Sequence, residues 1–185
     1  MYSQEEIIRA HGPYKSVQQA DPAFIRDCIK EIQGFPSVLE TFVSQLKPEH
    51  YDVSYRDGGW TFRQVIHHLA DSHMQAYTRF KLALTEEKPT IKPYIQDLWA
   101  GTKDSTSTNP GISVQLLKAL HARWCVLLES LTSADFEKSY IHPEYNREYK
   151  LFDVLGLYAW HGKHHYTQLE RYASNQAWIQ NGNLK

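Results

Sequence analysis

Four long segments of this 185-residue chain carry apolar residues at helical spacing, and this pattern constrains the fold more than any other feature. The segments cover about residues 22–46, 62–84, 112–131 and 152–173. Residues three and four positions apart share one face of a helix, so each segment presents an apolar stripe that must be buried. The sequence therefore predicts an all-α four-helix bundle in a single domain, residues 1–185, with about the first 20 residues peripheral.

Capping signals place the starts of the first two helices. Asp21 is suited to the N-cap position, and Pro22 follows it at the first helical position. Thr61, followed three residues later by Gln64, forms a capping box for the second helix. Pro36 lies inside the first pattern and removes one backbone donor, so it predicts a kink or a broken turn there.

The connection between the second and third helices is unusually long. Residues 85–111 show no helical periodicity, and connections of this length are uncommon in compact domains unless they are functional. We expect either an ordered surface loop or a lid in which Tyr94 and Trp99 pack over a site. Further along, the turn-rich stretch 140–151 predicts a short β-hairpin.

The charge balance excludes two classes of partner. The chain carries 20 Lys and Arg against 21 Asp and Glu and has no basic block, so it predicts binding to neither nucleic acid nor an anionic membrane. No apolar run approaches the roughly 20 residues of a membrane span, and the first 15 residues lack the apolar core of a secretory signal. We expect a cytoplasmic protein in which Cys28 and Cys125 are buried, reduced thiols.

The last helical segment carries three histidines within five positions. His161 and His165 are four residues apart and fall in the apolar stripe with Leu155 and Leu169, whereas His164 faces the opposite side, toward solvent or a partner subunit. Buried imidazoles need partners for their nitrogens, so a metal explains this pair more easily than packing does. The alternative is a pair of core histidines that form hydrogen bonds with neighbouring side chains.

A metal site needs a further ligand, since catalytic zinc commonly has three protein ligands and one open position. The second helical segment offers His67, His68 and His73. By angle alone His73 lies nearest the apolar stripe, with His67 and His68 on either flank, but periodicity does not choose among them as ligands. The sequence contains no HExxH motif, which excludes the metalloprotease arrangement, and no HxE with PCxxC, which excludes the zinc deaminase pattern.

Three stretches of the sequence resemble the DinB-like superfamily, and within it most closely the YfiT-type metal-dependent hydrolases, also described as bacillithiol S-transferases. They are YRDGGWTFRQVIHHLADSHMQAYTRFKLALTEEKPTIKPY, LHARWCVLLESLT and LGLYAWHGKHHYTQLE, and together they span about residues 50–172. The resemblance implies a four-helix bundle that binds one divalent metal ion, zinc or nickel, through three histidines. At the matching positions these are His68, His161 and His165.

The resemblance also implies an enzyme, either a metal-dependent hydrolase or a thiol S-transferase acting on a small-molecule substrate. The nucleophile would be water or a low-molecular-weight thiol activated by the metal. Asp71 and Gln168 are candidates to hydrogen-bond a ligand ring, and no general base is evident. The alternative is a non-catalytic metal-binding bundle that acts as a sensor or interaction module. The resemblance, together with five Trp and twelve Tyr residues, predicts a homodimer.

Overall fold

The predicted helix bundle is confirmed in the computed structural model, which describes residues 1–179. The last six residues of the predicted domain, 180–185, lie outside the described part. The strands are β1 (Ser139–His142) and β2 (Arg147–Lys150), and a single 3-10 turn lies at Pro48–His50. The helices in chain order are α1 (Gln4–Arg9), α2 (Pro22–Val43), α3 (Phe62–Thr85), α4 (Gln96–Ala100), α5 (Lys103–Ser107), α6 (Gly111–Glu129), α7 (Ser133–Phe136) and α8 (Leu151–Asn175).

Both predicted helix starts are confirmed. The Asp21 side chain accepts a hydrogen bond from the backbone N–H of Phe24 at 2.7 Å, and Thr61 and Gln64 form the capping box that begins α3. The sequence predicted a kink or a broken turn at Pro36. The broken turn is wrong, because α2 continues through this residue without interruption, and the kink stays a prediction. A proline at this position removes only one intrahelical donor, the N–H that would bond the carbonyl four residues earlier.

The long helices α2, α3, α6 and α8 enclose two apolar clusters that meet at a group of buried histidines. Trp124 and Phe80 belong to one cluster, and Phe35 and Phe62 belong to the other. The ring of His73 stacks on Phe35 at a centroid distance of 5.8 Å and meets the edge of Trp124 at 6.3 Å. Polar rings therefore lie in the middle of the bundle, where each nitrogen needs a partner.

The connection 85–111 is more regular than its sequence suggests, because it contains α4 and α5. Each of these helices has five residues, which is too short for an apolar period to appear in the sequence. Ile91 also donates a backbone hydrogen bond to the carbonyl of Ile141 at 3.0 Å, which attaches the connection to the edge of the hairpin. The predicted hairpin is confirmed as the antiparallel pair β1–β2.

The N-terminal segment, predicted to be peripheral, packs along α8. Ile7 is buried in the core, and Tyr14 donates a hydrogen bond to the carboxylate of Asp153 at 2.8 Å. The Gln168 side chain on α8 donates to the backbone carbonyl of Ile8 at 2.7 Å. The short helix α1 escaped the sequence analysis because six residues make fewer than two turns.

The two cysteines are buried and unpaired, as predicted. Burial raises the pKa of Cys28 and of Cys125 to about 11, so both remain protonated thiols at neutral pH. Within residues 1–179, none of the helices combines the length and the apolar character needed to cross a membrane.

Candidate metal centre

Helices α3 and α8 bring together the three histidines that the sequence analysis singled out. One nitrogen from each of His68, His161 and His165 lies within 4.8 Å of the others, a spacing that could hold a metal ion. The Nε2 atoms of His68 and His161 are 3.3 Å apart. The two histidines of α8 are one turn apart, and His68 faces them from α3, so the helix packing itself creates the group.

The three rings are neutral at pH 7 and therefore keep the lone pairs that a metal requires. Burial lowers the pKa of His68 to about 4. Burial, with the neighbouring His68 as a smaller cause, lowers the pKa of His165 to about 3. Burial followed by the proximity of His165 holds the pKa of His161 well below its usual value.

A chain of hydrogen bonds behind His161 fixes which of its nitrogens carries the proton. His121 Nδ1 lies 2.6 Å from the backbone carbonyl of Ile32, His121 Nε2 lies 2.9 Å from His73 Nδ1, and His73 Nε2 lies 3.2 Å from His161 Nδ1. A carbonyl only accepts, so His121 must donate from Nδ1 and accept at Nε2. By the same logic His73 donates from Nδ1 and His161 donates from Nδ1. The Nε2 lone pair of His161 is then directed toward His68.

The continuous helix at Pro36 explains why the Ile32 carbonyl is available to this chain. In an α-helix, the carbonyl of residue 32 would accept from the N–H of residue 36, and a proline has no N–H. The donor that replaces it is His121 Nδ1 from α6. The proline therefore provides an acceptor in the core for the first imidazole of the chain.

A glutamine orients His165 in a similar way. Gln168 Oε1 lies 3.0 Å from His165 Nδ1, and Gln168 Nε2 donates to the carbonyl of Ile8. Because Ile8 accepts from the amide nitrogen, the amide oxygen faces His165, so His165 donates from Nδ1 and keeps the lone pair on Nε2. The ring of Trp60, which lies just before α3, is 4.7 Å from the ring of His68.

Two other predicted candidates, His67 and Asp71, lie apart from this group. His67 contacts Ser113 Oγ at 2.7 Å and the Thr108 carbonyl at 3.2 Å. The carboxyl group of Asp71 is half-buried and forms no hydrogen bond with an imidazole of the described residues. Burial, and secondarily Asp104, raises the pKa of Asp71 to about 6.

His164 is less exposed than the sequence predicted, and its predicted contact with a partner subunit stays a prediction. The residue is half-buried, its ring stacks on Trp160 at 4.5 Å, and its Nε2 lies 3.1 Å from Gln168 Nε2. The apolar stripe correctly separates His164 from His161 and His165, but the N-terminal segment covers the opposite face of α8.

His161 also lines a cavity of about 410 Å³ that is open to solvent. The long connection contributes four consecutive residues, 94–97, to its wall. Of the two aromatic residues predicted to form a lid, Tyr94 lines this cavity, whereas Trp99 does not line it and packs against Tyr94 at a centroid distance of 4.8 Å. The remaining lining is largely aromatic, including Tyr140 and Tyr158. The cavity therefore reaches the histidine group at His161, while His68 and His165 do not line it.

Acid is expected to destabilise the metal-free chain already between pH 7 and pH 5. In the unfolded chain histidine titrates near about 6.5, whereas burial lowers the pKa of folded His68 and His121 to about 4. The unfolded state therefore binds more protons below pH 6.5, and each such group lowers the free energy of unfolding by about 1.4 kcal/mol per pH unit. The loss ends where the folded rings protonate as well. Urea unfolding with a chelator at several pH values tests this, and a constant free energy over the range would contradict it.

Comparison with known proteins gives a consistent set of relatives. The model of the DinB superfamily matches residues 31–169. A protein of Bacillus licheniformis is 43% identical over 167 residues (90% of this chain, 95% of the relative), and one of Oceanobacillus iheyensis is 47% identical over 154 residues (83% and 88%). Both carry the name "putative metal-dependent hydrolase".

A solved structure is similar over almost the whole chain. It is that of YfiT from Bacillus subtilis, described as "a probable metal-dependent hydrolase with an unusual four-helix bundle topology". The TM-score is 0.92 at 39% identity, and the match covers 94% of this chain and 99% of that structure. The likeness therefore extends to the arrangement of the four helices.

Proposed function

This chain belongs to the DinB superfamily, and from that premise we propose that it is a metal-dependent enzyme in which His68, His161 and His165 hold one divalent ion, zinc or nickel. The observation that carries the proposal is the convergence of three neutral imidazole nitrogens beside an accessible cavity. Imidazole ligands suit both metals. The metal-dependent names of the relatives support the same assignment.

An ion with three neutral ligands and an open position, when bound, acts as a Lewis acid that makes a water or thiol nucleophilic near neutral pH. The residues around the site supply orientation. His73 keeps the proton of His161 on Nδ1, and Gln168 does the same for His165. A thiol nucleophile would have to come from solution, since the only two thiols of the chain, Cys28 and Cys125, are buried and protonated.

We propose that the reaction is either hydrolysis or transfer of a low-molecular-weight thiol to an electrophilic small molecule. The cavity beside His161 has room for such a substrate, and residues 94–97 of the connection form part of its wall. The alternative, a non-catalytic metal-binding bundle, would favour a closed site with four protein ligands. Among the described residues the candidate group has three.

A panel assay is expected to reveal metal-dependent turnover. Zinc-loaded, nickel-loaded and chelated protein are each tested with esters and amides in water and with electrophiles paired with several thiols. Turnover that requires both the metal and His161 identifies the reaction. Turnover of esters or amides in water indicates hydrolysis, and turnover of electrophiles that requires a thiol indicates thiol transfer. His67→Ala, which alters an imidazole bonded to α6, is the matched control. Tight metal binding without turnover of any substrate in the panel would favour the alternative, a non-catalytic metal-binding bundle that acts as a sensor or interaction module.

A further inference from the structure

A buried arginine lies in the same cavity as His161. Arg79 is on α3, and only 8% of it is exposed. His68 and Arg79 are eleven residues apart, about three helical turns, so they project from the same face of α3 with a rise of about 16 Å between them. The helix that carries one candidate ligand thus also places a cation in the adjoining cavity.

This guanidinium lacks a counter-ion among the described residues. Arg79 Nε is buried without a hydrogen-bond partner, and none of the ion pairs or cation–π contacts within residues 1–179 involves Arg79. The carboxylates in the cavity lining, Asp97 and Glu144, are exposed at its rim. A buried charge without a partner lowers the free energy of unfolding, so packing alone does not explain an arginine at this position.

The groups around Arg79 are neutral and able to donate hydrogen bonds. The Tyr140 hydroxyl lies beside the guanidinium, and Tyr94 and His142 line the same cavity. Burial raises the pKa of Tyr140 and of Tyr94, so both hydroxyls keep their protons. The cavity therefore offers one positive charge and at least two O–H donors, which together complement an anion.

We propose that Arg79 binds a carboxylate group of the small molecule that reacts at the histidine site, an assignment that rests on the proposed function. The planar guanidinium presents parallel N–H donors that match the two oxygens of a carboxylate. A single cation with neighbouring hydroxyls suits one carboxylate group, which carries one negative charge, better than a phosphate group, which carries about −1.5 to −2 at pH 7. Arg79 would then fix one end of the substrate or thiol while its reactive atom lies near His161.

The test measures binding of succinate, its diamide and inorganic phosphate to the full-length protein by NMR titration. Each titration is run on zinc-loaded protein and on protein treated with a chelator. The metal-free sample measures binding at Arg79 even if the histidines bind no metal. Arg79→Met is expected to weaken succinate binding about 10- to 100-fold in both arms, with Arg79→Lys in between. Arg123→Met, which removes an exposed arginine outside the cavity, should bind succinate like the wild type.

Unfolding of the variants separates a binding role from a structural one. A methionine in place of an unpaired buried charge should leave the unfolding midpoint unchanged or raise it. Wild-type affinity for succinate in Arg79→Met would overturn the proposal. Equal binding of the diamide, tighter binding of phosphate than of succinate, or no binding of succinate to the wild-type protein would each overturn the carboxylate assignment. The two proposals can fail separately. If succinate binds through Arg79 but the panel assay shows no metal-dependent turnover, the carboxylate site is supported and the proposed enzymatic function is wrong.

Discussion

Alanine in place of His68, His161 or His165 is expected to leave a protein that retains little divalent metal after dialysis. Each substitution removes one of three ligands, and the remaining two imidazoles cannot complete the usual protein contribution to a catalytic site. The loss should exceed the roughly 10- to 100-fold decrease in affinity that follows removal of an outer hydrogen-bond partner. Metal content per chain, measured after loading with zinc and exhaustive dialysis, gives the result directly.

Two nearby histidines are the matched controls for this series. His67 and His164 directly precede His68 and His165 in the chain, but neither belongs to the converging group. His67→Ala and His164→Ala should therefore retain about one equivalent of metal per chain if the site needs only the three proposed ligands. A full equivalent in His161→Ala or His165→Ala would show that the proposed ligands are wrong.

Leucine in place of His73 is expected to weaken zinc binding about 10- to 100-fold, although His73 is not a proposed ligand. The substitution removes the acceptor for His161 Nδ1–H, so the proton is free to move to Nε2 and block the lone pair that faces His68. Competition with a chromophoric chelator at pH 7 measures the affinity. Imidazole ¹⁵N shifts of the metal-free protein report the tautomer of His161 directly.

Glutamine at the same position distinguishes orientation from packing. The side-chain oxygen in His73→Gln reaches about as far as Nε2 of the imidazole and can accept from His161, so most of the affinity should return. His67→Leu removes another buried imidazole of α3 and should leave both the affinity and the ¹⁵N shifts of His161 unchanged. An unchanged zinc affinity in His73→Leu would show that the hydrogen-bond chain does not act on the metal site.

Much of the fold could be predicted because local signals agree with the tertiary structure. The apolar periodicity and the caps at Asp21 and Thr61 locate the long helices to within a few residues. The misses are short elements, namely α1, α4, α5, α7 and the 3-10 turn at Pro48–His50, which are too short for an apolar period to appear in the sequence. Gln64 donates to the carbonyl of Ala100 at 2.8 Å and so holds the end of α4. No sequence pattern shows that contact.

The candidate metal site was likewise predicted only in part from the sequence. The apolar stripe of α8 identified His161 and His165, whereas the choice of His68 over its neighbours came from the family resemblance. The roles of His73, His121 and Arg79 depend on which helices face each other, and periodicity carries no such information. His73 did lie nearest the apolar stripe of α3, which was the one local sign that it belongs to the core. The predicted homodimer stays a prediction.

The hydrogen-bond chain behind His161 has a consequence for anyone who wishes to transplant this centre. Its four members, Ile32, His121, His73 and His161, come from α2, α6, α3 and α8 respectively, so every long helix contributes one. Copying three ligands onto another scaffold would reproduce their spacing but leave the tautomers unspecified. The smallest transferable unit is therefore the whole bundle, including a proline that at first sight looks like a flaw in its helix.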